Sequence, residues 1–198
     1  MTEKLKGIAG SMFAGKTEML INDVIRAKYA KKKVLVFKPT VDDRWNAINE
    51  IRSHSGIKYP AIAVQNALEI ISHLETDTNL VAIDEAQFFG PEIVEVVRFL
   101  LEQDIRVVFA GLSLDFRGEP FGYMPELLAL CDELDRPVAV CDKEIAGEVC
   151  GQKATKTQRL VNGQPANYLD PTILIGSEEY RARCPNHHIV PGKPKPKI

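Results

Sequence analysis

Short apolar runs alternate along the chain with longer stretches in which apolar residues recur at helical spacing. Lys4 to Ala9 reads as a strand, and after a glycine-rich turn Met19, Leu20, Val24 and Ile25 fall on one helical face. Val34 to Phe37 is a second strand, stopped by Pro39, and the polar, aperiodic stretch from Val41 to Tyr59 predicts a long loop of the kind that carries function. Gln65 to Leu74 predicts a helix and Leu80 to Ile83 a third strand; Pro91 opens a helix to Leu101, and Ile105 to Ala110 is a fourth strand. A helix from Met124 to Leu130 and a strand near Pro137 to Val140 continue the alternation. This order predicts an α/β fold, a parallel sheet with helices on both faces and ligands gathered at the C-terminal ends of the strands.

Beyond Cys141 the composition turns to Cys, Gly, Thr and turn residues, so a second, smaller β module is expected there. Within it Ala154 to Leu160 and Ala166 to Leu169 flank Asn162-Gly163, a dipeptide suited to a turn in which both residues take positive φ, which predicts a β-hairpin. The tail from Pro191 alternates Pro and Lys and lacks the apolar content to pack. The division expected is a nucleotide-binding domain over 1–140, a metal-binding module over 141–190 and a loose tail over 191–198.

Composition narrows the classes. With 198 residues, 45% hydrophobic and 26% charged, the chain fits one main domain plus an appendage. A net charge of -2 offers no broad basic field for a phosphate backbone, so nucleic acid is not the expected partner. The longest apolar runs are strand-sized, and the polar Met1 to Lys6 has no signal-like character, which makes a cytoplasmic protein without membrane partners the expectation. In a reducing compartment the cysteines at 131, 141, 150 and 184 suggest metal ligation or free thiols more than disulfides.

The clearest chemistry lies in Gly10-Ser11-Met12-Phe13-Ala14-Gly15-Lys16-Thr17, which fits G-x-x-x-x-G-K-[ST] between a strand and a helix. Glycines let backbone N–H groups curl round phosphate oxygens, the helix N-terminus adds positive potential, and Lys16 neutralises the β- and γ-phosphates. Thr17 is the expected Mg²⁺ ligand of a bound ATP. Asp84, just after the buried strand Leu80 to Ile83, stands where phosphate-loop proteins place the acid that orients the metal's water shell. Glu85 beside it can point towards the acceptor, although an acidic pair at such a junction also serves as a cap for the next element.

Beyond the phosphate loop, Lys38-Pro39 with Asp42 and Arg44, Asp84-Glu85-Ala86-Gln87-Phe88-Phe89, and Phe116-Arg117-Gly118-Glu119-Pro120-Phe121-Gly122 follow in one order. With these motifs the chain resembles the thymidine kinase family of the cytosolic, zinc-containing type over nearly all of Lys4 to Pro191. The resemblance implies a RecA-like phosphate-loop core, transfer of the ATP γ-phosphoryl to thymidine, and Glu85 as base toward the 5′-hydroxyl. It further implies Gln87 on the ATP side, and Met12, Phe88, Leu112, Phe116 and Phe121 around the base and sugar. Phe89 reads as core packing. Asp42 and Arg44 are expected near the reacting phosphates. Ile173 to Tyr180 is similar to the family's closing loop, with Ile175, Gly176 and Tyr180 at the substrate. Feedback inhibition by dTTP and a homotetramer are implied by the same resemblance.

Cys184-Pro185-Asn186-His187 gives C-x-x-H, which brings two ligands to one tetrahedral Zn²⁺. The family's partner half is C-x-x-C, whereas here Asp142 to Val149 separate Cys141 from Cys150. Cys141, Cys150, Cys184 and His187 are assigned as a structural zinc site, with an insertion between the first two. Glu144 keeps the regular spacing from Cys141 and is the alternative, disfavoured because thiolates dominate structural zinc sites. His188 is the alternative to His187, and Cys131 reads as a buried small side chain.

Overall fold

The structure, a computed structural model, describes residues 4–40, 49–173 and 179–195. In chain order, β1 (Leu5–Gly10) leads into α1 (Lys16–Tyr29) and β2 (Lys33–Pro39), and an antiparallel pair, β3 (Glu50–Arg52) and β4 (Lys58–Pro60), precedes β5 (Ile62–Val64) and α2 (Leu68–Ser72). Then come β6 (Thr78–Ile83), α3 (Glu92–Glu102), β7 (Arg106–Leu112), α4 (Met124–Leu130) and β8 (Glu133–Asp135). Six strands form one sheet in the order β5-β2-β6-β7-β1-β8, and every neighbouring pair is parallel.

Alternation along the strands divides two cores between the faces. Val81, Ile83, Val107 and Phe109 pack against Ile93, Val96, Val97 and Leu100 of α3 and against Met124 and Leu127 of α4. Ala82, Val108 and Ala110, on the opposite face, meet Leu20, Ile21 and Val24 of α1, with Ile51 of β3 closing that layer. The α/β architecture with helices on both faces is therefore present.

Several elements differ from the reading of the pattern. The helix expected from Gln65 to Leu74 is the shorter Leu68–Ser72, and the loop expected from Val41 to Tyr59 contains the β3–β4 pair. The sheet's last strand is Glu133–Asp135, too polar to be conspicuous. It is held by Lys6, whose ammonium lies 3.2 Å from Glu133 and 2.9 Å from Asp135, and 3.1 Å from Asp23 of α1.

The strand expected near Pro137 to Val140 is β9 (Ala139–Val140), which stays outside the six-stranded sheet and pairs with β12 (Lys153–Ala154) at the junction with the C-terminal module. Between them β10 (Glu144–Ile145) and β11 (Glu148–Val149) make a small hairpin. A three-stranded sheet then forms from β13 (Lys156–Val161), β14 (Gln164–Pro165) and β15 (Glu179–Arg183). Asn162 and Gly163 have φ of 49° and 76°, as a two-residue hairpin turn requires, and this turn pairs Val161 with Gln164, bringing the second strand forward of the expected Ala166 to Leu169. Past Pro191, whose carbonyl accepts from Tyr168 N–H at 2.8 Å, Lys193 reaches Glu119 at 2.9 Å.

Candidate active site and metal centre

The glycine-rich loop leaves β1 in the interior of the sheet. Gly10 is required by close approach, since a Cβ there would lie 2.5 Å from the Pro137 carbonyl oxygen. Phe13 and Gly15 take left-handed φ of 65° and 81°, turning the chain sharply into α1 at Lys16. Lys16 donates to the Ser11 carbonyl at 2.8 Å. The loop also rests on the C-terminal module: Ser11 Oγ donates to the Ala154 carbonyl at 3.0 Å, Met12 N–H donates to Thr157 Oγ1 at 3.0 Å, and Ala14 packs against the cluster of Cys141, Ala154 and Cys184.

At the C-terminal end of β6, Asp84 is buried, and its N–H bonds to Phe37 of β2 at 2.9 Å. Its carboxylate accepts from the Thr17 hydroxyl, with oxygens at 3.1 and 3.3 Å, and from Glu85 N–H at 3.0 Å. The two groups expected at a metal-bound phosphate are thus within hydrogen-bond reach of one another. Glu85 has φ of 51°, a left-handed conformation uncommon for a non-glycine residue and frequent at functional sites. The Gln87 side chain joins the acid to the neighbouring strand: its amide N–H donates to the Glu85 carboxylate, and its carbonyl accepts from Leu112 N–H at 2.9 Å.

Beside these groups Met12, Leu112 and Phe121 form an apolar cluster against which Phe88 and Tyr180 pack. Phe88 and Phe121 meet edge to face, with centroids 5.5 Å apart. Phe116 is not part of that cluster; its ring is buried beneath Arg159, whose guanidinium carbon is 3.7 Å from the ring centroid. Phe89 lies in the core under α3, as expected. Phe13, by contrast, is exposed and meets His54 with ring centroids 4.5 Å apart. Asp42, Arg44, Ile175 and Gly176 lie outside the described residues.

The metal-type side chains converge. The donor atoms of Cys141, Cys150, Cys184 and His187 lie within 4.8 Å of one another, and His187 Nδ1 is 3.6 Å from Cys141 Sγ and 3.3 Å from Cys184 Sγ. A tetrahedral zinc with bonds of about 2.3 Å to sulfur and about 2.0 Å to nitrogen sets such atoms about 3.5 Å apart, so the donor set fits that ion. The long spacing after Cys141 is resolved by the β10–β11 hairpin, which loops out and returns Cys150 so that its N–H meets the Lys143 carbonyl at 2.8 Å. Glu144 stands on the exposed hairpin strand and is not in the cluster. Burial opposes ionisation of Cys141, but backbone hydrogen bonds at Cys184 and Lys143 and the His187 contact outweigh it and bring the thiol down to about 6. At Cys150 a backbone hydrogen bond favours the thiolate, yet burial and the neighbouring thiols push it up. Thiols so crowded repel as anions, and a divalent cation removes that conflict.

Comparison with known proteins places this geometry. A sequence model described as thymidine kinase matches residues 3–188. A protein of Coprothermobacter proteolyticus named thymidine kinase is 52% identical over 190 residues, covering 96% of this chain and 92% of that protein. The chain belongs to the thymidine kinase family. It is accordingly an ATP-dependent kinase, and its fold and Cys/His cluster agree with that membership.

Two residues of this family member escaped the sequence reading. Thr157 occupies a Met12 N–H that the motif alone assigns to phosphate, and Arg159, fully buried, sits on Phe116. Nothing in a β-strand pattern marks a threonine as facing a distant loop. For Arg159 there was no signal either, since Ala154 to Leu160 is largely polar and carries a second charge at Lys156. Cys131 is half-buried, with its S–H to the Leu127 carbonyl at 3.3 Å, and burial followed by the charge of Asp132 pushes the thiol up to about 11. His188 lies outside the metal cluster, its Nε2 at 2.8 Å from the Phe116 carbonyl oxygen.

Proposed function

We propose that the chain transfers the γ-phosphoryl group of ATP to the 5′-hydroxyl of thymidine, giving dTMP and ADP, with Glu85 as general base. The observation that supports this reading is the run of hydrogen bonds from the Thr17–Asp84 pair through Glu85 and Gln87 to Leu112, itself part of the apolar cluster with Met12 and Phe121. Residues from Gly10 to Thr17 hold the triphosphate, Lys16 balancing the charge that builds on the β- and γ-phosphates. Thr17 and Asp84 would hold Mg²⁺, which supplies charge neutralisation at the phosphates when bound. Phe88 and Phe121, with Met12, Leu112, Ile175, Gly176 and Tyr180, enclose the nucleoside, whose flat apolar faces suit aromatic walls, and Phe116 backs them from the tip of its loop.

In the transfer, the thymidine 5′-oxygen attacks the γ-phosphorus as its proton passes to the Glu85 carboxylate. The bond between the γ-phosphorus and the β,γ-bridging oxygen breaks, ADP leaves, and Glu85 returns the proton to water. Asp42 and Arg44 belong to the phosphate side in this reading. The division into a nucleotide domain over 1–140, a zinc module with its closing loop over 141–190 and a tail over 191–198 belongs to the same proposal. So do a structural Zn²⁺ on Cys141, Cys150, Cys184 and His187, dTTP feedback, a homotetramer and a cytoplasmic location. Among the described residues, no helix is long and apolar enough to cross a membrane.

A phosphate-transfer assay with ATP against a panel of nucleosides tests the reading. The expected order is thymidine, then deoxyuridine, then deoxycytidine far behind. Deoxyuridine lacks only a methyl, worth about 1–3 kcal/mol in an apolar pocket, whereas cytosine reverses hydrogen-bond polarities and can be rejected by ~10⁴-fold. Deoxycytidine turned over as well as thymidine would overturn the assignment of the acceptor, and Lys16→Ala with undiminished transfer would remove the phosphate loop from it.

A further inference from the structure

Two arginines meet at one ring. Arg159 of β13 sets its guanidinium carbon 3.7 Å from the Phe116 centroid, and Arg117 sets its own at 5.1 Å. Each also holds one of two successive main-chain carbonyls in the module: Arg159 Nη1 donates to Pro171 at 2.7 Å, and Arg117 Nη2 donates to Asp170 at 2.5 Å. The ring of Tyr168 lies 5.4 Å from the Arg117 guanidinium carbon. Phe116 and Asp170–Pro171 are far apart in the chain, and two cations tie them together.

The energetics make the charge at position 159 unexpected. Arg159 is the largest fully buried side chain among the described residues, and its Nε and Nη2 have no hydrogen-bond partner there. Its nearest carboxylate, Asp170, stands 3.9 Å away. A guanidinium buried with so few partners is costly to desolvate, and a methionine would fill the same space without that cost. Stability alone does not call for an arginine here. What only a planar cation supplies is the combination of a face laid on an aromatic ring and an edge aimed at a fixed carbonyl.

The loop that carries Phe116 transmits its position. Asp115 N–H bonds to the Glu119 carbonyl at 2.8 Å, Leu114 bridges Pro120, and Phe121 N–H reaches the Ser113 carbonyl at 3.3 Å. The loop is thereby laddered from its tip at Phe116 to its base, where Leu112 and Phe121 line the apolar cluster. Fixing the tip fixes the base.

We propose that Arg159 and Arg117 are positioning residues which clamp the Phe116 loop to Asp170–Pro171 and so set the enzyme's affinity for its nucleoside acceptor, without taking part in phosphoryl transfer. This rests on the reading that the apolar cluster takes the nucleoside.

The test compares Arg159→Met, Arg159→Lys and Arg117→Met with the wild-type enzyme, using ATP and whichever nucleoside the wild type accepts best. A wrong acceptor identity therefore fails the functional reading and leaves this one measurable. Arg159→Met is expected to raise the nucleoside KM about 10- to 100-fold, with kcat at saturating nucleoside, the KM for ATP, zinc content and thermal midpoint near wild type. Arg159→Lys, which keeps a cation over the ring and loses the Nη1 hydrogen bond to Pro171, should fall between. Arg117→Met, at a partly exposed position, should show the same split and carries the test if Arg159→Met does not fold. With Phe116→Leu as background, Arg159→Met should add little to the nucleoside KM. An unchanged nucleoside KM in both methionine variants, a parallel rise in the KM for ATP, a KM rise that follows a fall in thermal midpoint, or full multiplicativity with Phe116→Leu would each overturn the clamp.

Discussion

Replacing Glu85 by glutamine removes one proton acceptor and one negative charge while conserving side-chain size. The Gln87 amide N–H that donates to the Glu85 carboxylate can donate equally to the new amide's carbonyl, so the bridge from Gln87 to Leu112, at 2.9 Å, survives. The φ of 51° at this position is no harder for glutamine than for glutamate. The structural cost is therefore at most that of one weakened hydrogen bond, about 0.5–1.5 kcal/mol. A positioned general base contributes ~10²- to 10⁴-fold, or about 3–5 kcal/mol of barrier. Glu85→Gln should lose that factor in kcat while thymidine affinity, measured by calorimetry, stays within about threefold of wild type. A coupled ADP-release assay reads the rate. A variant turning over within about threefold of wild type would refute Glu85 as base, and a collapse of thymidine binding would show that it holds the acceptor instead.

Deleting Glu144 to Val149 restores C-x-x-C at the hairpin neck, where Cys150 N–H already meets Lys143, and should leave one zinc per chain by elemental analysis. Cys150→Ser should lose metal and destabilise the module by several kcal/mol, since metal binding there is also folding energy; the reverse pattern would disprove the assignment. Lys6→Met strands Asp23, whose side chain is 10% exposed, and should cost about 3–5 kcal/mol in urea unfolding. Burial alone would lower the Lys6 ammonium, but Asp135, Asp23 and Glu133 outweigh it and hold it well above the ordinary lysine range. A raised folded value gives stability that is fully present below about pH 10.4 and lost as pH climbs through the folded value, so the wild-type advantage over Lys6→Met should be flat from pH 7 to 10 and shrink beyond. Cys131, with its thiol near 11, should be alkylated at pH 8 about 10²-fold more slowly in the folded protein than after denaturation.

What the sequence revealed and what it hid have distinct physical causes. The buried strand segments Leu80 to Ile83 and Val107 to Ala110 are continuous apolar runs, because both faces are covered, and they were legible for that reason. Glu133–Asp135 was not, because an edge strand pinned by Lys6 needs no apolar side chains. Asn162-Gly163 announced its turn through a requirement for positive φ that few residues meet. The convergence of Cys141, Cys150, Cys184 and His187 was legible despite the irregular spacing, because a hairpin absorbs extra residues without moving its ends. Contacts between the module and the phosphate loop, Thr157 to Met12 among them, join residues more than a hundred positions apart and leave no local pattern to read.

Those contacts decide how the two parts of the molecule relate. The module supplies the Ala154 carbonyl to Ser11, the Thr157 hydroxyl to Met12, and an apolar seat for Ala14 formed with Cys141 and Cys184. Nearly the whole loop before Gly15 is thus held from outside its own domain. A glycine-rich loop has high conformational entropy, and the fixed left-handed turns at Phe13 and Gly15 oppose the average preference of the chain. Ordering that loop on a strand is effective only if the strand is itself rigid. The strand in question begins three residues after Cys150, in a module whose own apolar core amounts to a few alanines and cysteines. A core that small does not hold a fold without a metal or other cross-link. The converging Cys141, Cys150, Cys184 and His187, a donor set that fits a metal, would on binding one underwrite the geometry of the phosphate loop that rests on this module.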